Sequence, residues 1–116
     1  MTMQIHYLEI VTPEVDAACA ALEKIHGVKF GRPDASLGAA RTTKLPSGAT
    51  IGVRAPMNAA ETPVTRPYFL VDDLQAAVNA AASAGAQIAL PSMDIPGHGT
   101  IAIYFMGGVQ YGLWKK

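Results

Sequence analysis

PEVDAACAALEKIH (residues 13–26) and DLQAAVNAAASA (residues 73–84) carry one pattern twice. In the first, Val15, Ala18, Cys19 and Leu22 stand at spacings that place them on one helix face, and Ile25 extends the stripe. In the second, Leu74, Ala77, Val78 and Ala81 repeat it, each 59 residues after its counterpart. Thr12 ahead of Pro13 and Glu14 predicts a helix start, and Gly27 a stop. Asp72, three residues before Gln75, has the spacing of a capping box, and Gly85 ends the second helix.

Working outward, each helix follows a strand-like run, Gln4–Ile10 in the first case and Pro67–Val71 in the second. Three β-rich pieces then follow each helix. They are Val28–Phe30, Gly38–Leu45 and Thr50–Arg54 after the first, and Gln87–Leu90, Thr100–Phe105 and Gln110–Trp114 after the second. Turn signals separate them at Gly31–Asp34, Pro46–Gly48, Pro91–Gly99 and Gly107-Gly108. The reading is α+β: two paired βαβββ modules, about 1–54 and 66–116, joined by a linker at about 55–65, in a single domain spanning 1–116. Each module is too small to bury a sheet face alone, so the two are expected to pair. A ferredoxin-like sandwich also alternates strands and helices, but it uses four strands where this chain offers about eight.

Composition narrows the function classes. Half the residues are hydrophobic and 16% are charged, which excludes a disordered chain. The formal net charge is zero, with no long basic run, so nucleic-acid binding by phosphate neutralisation is not expected. Near-zero charge favours self-association. A single cysteine, Cys19, allows no internal disulfide and suits a reducing compartment; it lies on the buried stripe. The N-terminus MTMQIHYLEI lacks signal-peptide character, and no apolar stretch is long enough for a bilayer. A cytoplasmic protein with no membrane partner is the expectation. Motifs for phosphate loops, nucleophile elbows, CxxC and HExxH sites are missing from the sequence.

The segments IHYLEIVTPEVDAACAALEKIHGVKF, YFLVDDLQAAVNAAASAGAQIALP and QYGLWKK, in that order, resemble the vicinal-oxygen-chelate (glyoxalase/bleomycin-resistance/dioxygenase) superfamily over nearly the whole chain. The resemblance implies a curled mixed sheet with an open cleft, and often a homodimer, sometimes formed by module exchange. It departs from the family at Met106-Gly107-Gly108, where an Asp-Pro-x-Gly turn is usual. Metal enzymes of the family carry four ligands, on the first and fourth strands of each module. Carried over without a gap, those positions are Tyr7, Gly52, Arg66 and Gly112. A one-residue gap would bring in His6, which alone is no site. The resemblance therefore implies no family-type metal and no cofactor.

Strand alternation assigns the faces. Leu8 and Ile10 suit the helix side, which places Tyr7 and Glu9 on the other. The same phase puts Arg66 and Tyr68 there, and Gln110 and Trp114 on the last strand, with Tyr111 and Leu113 under the helix. An aromatic-lined cleft with a few polar groups suits a small organic ligand. Glu9 is either a base or an ion-pair partner of Arg66 that keeps the modules in register. Arg66 is also a candidate clamp for an anionic group. Trp114 stacks on a ligand or caps the sheet. Tyr7 and Tyr68 serve packing or contact a ligand. His98, in the PGHG loop, either covers a ligand or is solvated. Arg41 and Arg54 are candidates for the cleft rim, with no strand phase assigned.

Three functions follow. The first is a small-molecule binding protein without the metal site, as in antibiotic-sequestering members of the superfamily. The second is a metal-independent isomerase- or lyase-type enzyme with Glu9 as base and Arg66 as substrate clamp. The third is a structural subunit whose cleft is filled by its own side chains or by a partner.

Overall fold

A computed structural model describes residues 3–116. Met1 and Thr2, which open the stretch read for a signal peptide, lie outside the described residues. The elements are β1 (Ile5–Val11), α1 (Val15–His26), β2 (Arg41–Lys44), β3 (Thr50–Arg54), β4 (Val64–Leu70), α2 (Leu74–Ser83), β5 (Gln87–Ile95), β6 (Gly99–Met106) and β7 (Val109–Lys115). The class is α+β, with parallel and antiparallel pairs mixed. Two compact units result: Tyr7–Thr65, and the residues up to His6 together with Arg66–Lys116.

In the first unit the strand order is β2-β3-β1. β1 runs parallel to β3, and β2 runs antiparallel to it. Cys19 of α1 packs with Phe30 and Val53, and Ile10, Ala18, Leu22 and Ile51 close the cluster. Ile51 and Val53 therefore face the helix, and Gly52 and Arg54 face away. α1 is capped differently from expectation. Its N-cap is Glu14, without a side-chain cap bond, and the Glu14 N–H donates instead to Thr12 Oγ1 at 3.2 Å. Gly27 ends it in the left-handed region at φ 70°, its N–H reaching the Glu23 carbonyl.

Two strands follow α1, not three. The Phe30 N–H is taken by the Glu23 carboxylate at 2.9 Å, so Val28–Phe30 packs as an anchored segment and joins no ladder. The expected strand from Gly38 begins only at Arg41. Asp34 caps a 3₁₀ turn over Ala35–Leu37, and Gly38 and then Ala39 both adopt positive φ. Such backbone cannot continue a pleat.

The second unit has the expected βαβββ content, in strand order β4-β7-β6-β5. β4 pairs parallel with β7; β6 pairs antiparallel with both β7 and β5. Leu74 and Val78 of α2 pack on Ala102 and Leu113, joined by Ile88 and Tyr104. The cap of α2 is Asp73, not Asp72, its carboxylate accepting from the Ala76 N–H. β5 continues through Pro91 to Ile95, shortening the expected Pro91–Gly99 loop to the hairpin turn at 96–98. Its far side has no neighbour in the strand order, and register shifts flank Leu90, which is where a strand tolerates proline. Met106 pairs with Val109 across Gly107 (φ 61°) and Gly108 (φ 77°), a two-residue turn with both central residues left-handed, which suits a hairpin's twist.

Candidate functional site

The faces turned away from the helices bear the predicted residues in two groups. In the first unit, Tyr7 and Glu9 of β1 point to the same side as Gly52 and Arg54 of β3. The Tyr7 ring lies over Gly52: a methyl group built there would stand 1.6 Å from the phenol oxygen. Glu9 Oε2 accepts from Arg54 Nε at 2.7 Å. Arg54 Nη1 and Nη2 donate to Glu61 Oε1 and Oε2 at 2.8 and 2.7 Å, a bidentate pair. Arg54 is 5% exposed and Glu9 8%. The hydrogen bond to Glu61 raises the guanidinium pKa above its ordinary value; burial opposes this, and Glu9 adds to it.

Glu61 lies in the segment read as linker. Its Oε1 also accepts from the Met57 N–H, and Asn58 Oδ1 accepts from the N–H groups of Ala60 and Glu61. The Asn58 bond to the Glu61 N–H matches one arm of a capping box, while the Glu61 carboxylate reaches the N–H one residue earlier, at Met57. Asn58 and Glu61, three residues apart, carried that signal in the sequence. Arg54, a candidate for the rim from sequence, is buried. Arg41 faces the helix side, pairing with Asp16 at 3.0 Å.

In the second unit, Arg66 and Tyr68 of β4 share a face with Gln110, Gly112 and Trp114 of β7, as the strand phase predicted. Tyr68 covers Gly112, where an added methyl would meet the ring at 2.2 Å. Tyr68 also meets Trp114 edge-on at 5.6 Å, and His6 lies tilted against Trp114 at 5.2 Å. The Trp114 indole N–H donates to the His98 carbonyl at 3.0 Å. The exposed His98 thus contributes its backbone to Trp114 from the hairpin turn. Arg66 Nε donates to Gln110 Oε1 at 2.8 Å, and Nη2 donates to the same oxygen. Arg66 Nη1 lies 3.5 Å from the Tyr68 hydroxyl. Tyr7, Tyr68, Trp114 and Arg66 are all buried, whereas Gln110 is half-buried.

The same face holds residues not singled out from sequence. Phe105 pairs with Gln110, Ile103 with Gly112, and Leu90 with Ile103. All three are partly exposed, beside the Arg66–Gln110 pair. Their signal was the alternation Ile101, Ile103, Phe105 against Ala102, Tyr104 in β6.

The four positions that the resemblance assigns to metal ligands supply a phenol, a guanidinium and two glycines, each glycine overlaid by a tyrosine ring. Among the described residues there is no group of three or more His, Cys, Asp or Glu side chains placed to hold a metal ion. No helix among the described residues is long and apolar enough to cross a membrane.

Comparison of the sequence with protein-family models and with curated proteins finds no match. Solved structures do match. A hypothetical protein, BH1468 from Bacillus halodurans, has a TM-score of 0.79 at 13% identity, covering 100% of this chain and 96% of that one. Methylmalonyl-CoA epimerase from Mycobacterium tuberculosis has a TM-score of 0.75 at 18% identity, covering 96% and 86%. A variant Streptomyces coelicolor methylmalonyl-CoA epimerase in complex with 2-nitronate-propionyl-CoA has a TM-score of 0.70 at 13% identity, covering 97% and 94%. The fold is glyoxalase-like. At these identities the likeness is one of fold.

Proposed function

We propose that this protein binds a small organic molecule on the face of its second unit that carries Arg66 and Gln110, and does so without the metal centre of the superfamily's enzymes. One observation carries the reading. Ile103 and Phe105 are partly exposed beside a buried guanidinium with a half-buried amide partner, the combination of apolar wall and few polar groups that defines small-molecule sites. The donor set supports the metal-free part: a guanidinium repels a cation, and the two glycines offer no donor. That two structural neighbours are enzymes acting on an acyl-CoA also supports a small organic ligand. The test is a set of ¹⁵N and methyl spectra of metal-stripped protein, titrated with small organic acids, amides and acyl-CoA thioesters. Binding should shift Ile103, Phe105 and Gln110. Shifts that appear only after a divalent ion is restored would refute it.

The epimerase neighbours favour a second reading, a metal-independent proton transfer. Glu9 would take the proton from the carbon beside a carbonyl, leaving an enolate and a neutral carboxyl group, then return it to either face. It stands second because Glu9 Oε2 is engaged by Arg54, so proton uptake would cost part of that ion pair. Deuterium uptake at the acidic carbon of methylmalonyl-CoA in D₂O would support it, provided that Glu9→Gln abolishes the exchange and retains binding. Exchange at full rate in Glu9→Gln would remove Glu9 as the base.

A further inference from the structure

Arg66 presents the Nε and Nη2 edge of its guanidinium to one oxygen, Gln110 Oε1, which accepts from both. That edge is the side-on fork whose two parallel N–H groups match the two oxygens of a carboxylate. Gln110 offers the fork one neutral carbonyl oxygen where a carboxylate would supply two charged ones. Arg66 is buried on β4, whereas Gln110 is half-buried near the start of β7, two residues from the hairpin turn. Phe105, its direct cross-strand neighbour, and Ile103 supply an apolar surface next to the fork.

We propose that Gln110 is a placeholder, and that the ligand is a carboxylate on a compact apolar or aromatic body, whose two oxygens replace Gln110 Oε1 on Arg66. The inference rests on the binding reading above and names its ligand class. Charge and geometry select the acid over its neutral amide, because a carboxylate accepts both parallel N–H groups on two charged oxygens where the amide offers one neutral oxygen. The Phe105 and Ile103 side chains select the apolar body.

The test uses ¹⁵N-labelled protein and two probes of one shape, phenylacetate and phenylacetamide. The Arg66 Nε–H resonance is assigned through Arg66→Lys. Phenylacetate should shift that resonance and the Gln110 side-chain amide, and should bind at least about tenfold more tightly than phenylacetamide. Gln110→Glu places a permanent carboxylate in the fork and should weaken phenylacetate at least about tenfold. Gln110→Ala, which removes the Gln110 oxygen from that edge, should bind phenylacetate at least as tightly as the parent. Equal affinity for acid and amide would overturn the carboxylate class and leave the binding face standing. Undiminished phenylacetate binding by Gln110→Glu would overturn the placeholder role. No shift of Ile103, Phe105 or Gln110 by either probe would overturn the inference and the binding face together.

Discussion

Gly112→Ala should destabilise the protein although it adds a single methyl group. The new carbon would stand 2.2 Å from Tyr68 Cδ2 and 2.6 Å from Cγ and Cε2, whereas ordinary contact begins near 3.4 Å. The ring must therefore retreat by about 1 Å. Tyr68 is 3% exposed and held edge-on by Trp114, so its ring has nowhere to swing. Overpacking of this kind costs about 1–3 kcal/mol, against about 0.4–1 kcal/mol gained by restricting the unfolded chain. A net loss of about 1–2 kcal/mol is expected, read from urea unfolding at 25 °C. Gly31→Ala is the control. Its added carbon would come no nearer than 3.7 Å to the Thr42 carbonyl, and its φ is not positive, so it should be neutral or slightly stabilising. In a Tyr68→Ala background the cost of Gly112→Ala should vanish. If Gly112→Ala is as stable as Gly31→Ala, or if its cost survives removal of the Tyr68 ring, the tyrosine does not fill the space over Gly112.

Glu61→Ala takes one counter-ion from the buried Arg54 while Glu9 remains, and should cost about 1–3 kcal/mol in the same assay. Burial pushes the Cys19 thiol pKa up from 9.0, Arg41 opposing and Glu23 and Asp16 adding, and the side chain is fully buried. Cys19 should therefore resist a disulfide reagent at pH 8 until the protein unfolds; rapid modification of folded protein would contradict its place under α1. Burial, with a smaller contribution from Tyr111, raises the Tyr104 pKa above 10.0. A raised acid favours its neutral form in the folded state, so its contribution is intact below pH 10.0 and is lost as pH rises through the folded value. The urea midpoint should fall above pH 10 less steeply in Tyr104→Phe than in the parent.

The helix stripes and strand alternation made the two modules legible, because burial on one face imposes periods of 3.6 and 2. That reasoning placed Ile10 and Leu113 beneath the helices, and Arg66, Tyr68, Gln110 and Trp114 on the opposite face of their unit. It erred where local hydrogen bonding outweighed apolar pattern. Glu23 took the amide of Phe30 from a would-be strand, and Asp34 turned the chain before Arg41. It named Tyr7 and Trp114 as lining without showing that they are buried, since pattern gives the face of a side chain but not what covers it. The Arg54–Glu61 pair lay beyond reach because Glu61 sits in an aperiodic segment, where only the Asn58–Glu61 spacing hinted at order.

The metal content of protein purified without chelator tests the metal-free binding site most directly, and native mass spectrometry reads it together with any retained ligand. The polypeptide is predicted to carry no divalent ion, and any co-purified mass should be an organic acid. One divalent ion per chain, lost on chelation together with ligand binding, would contradict the reading of Tyr7, Gly52, Arg66 and Gly112 as positions without a metal.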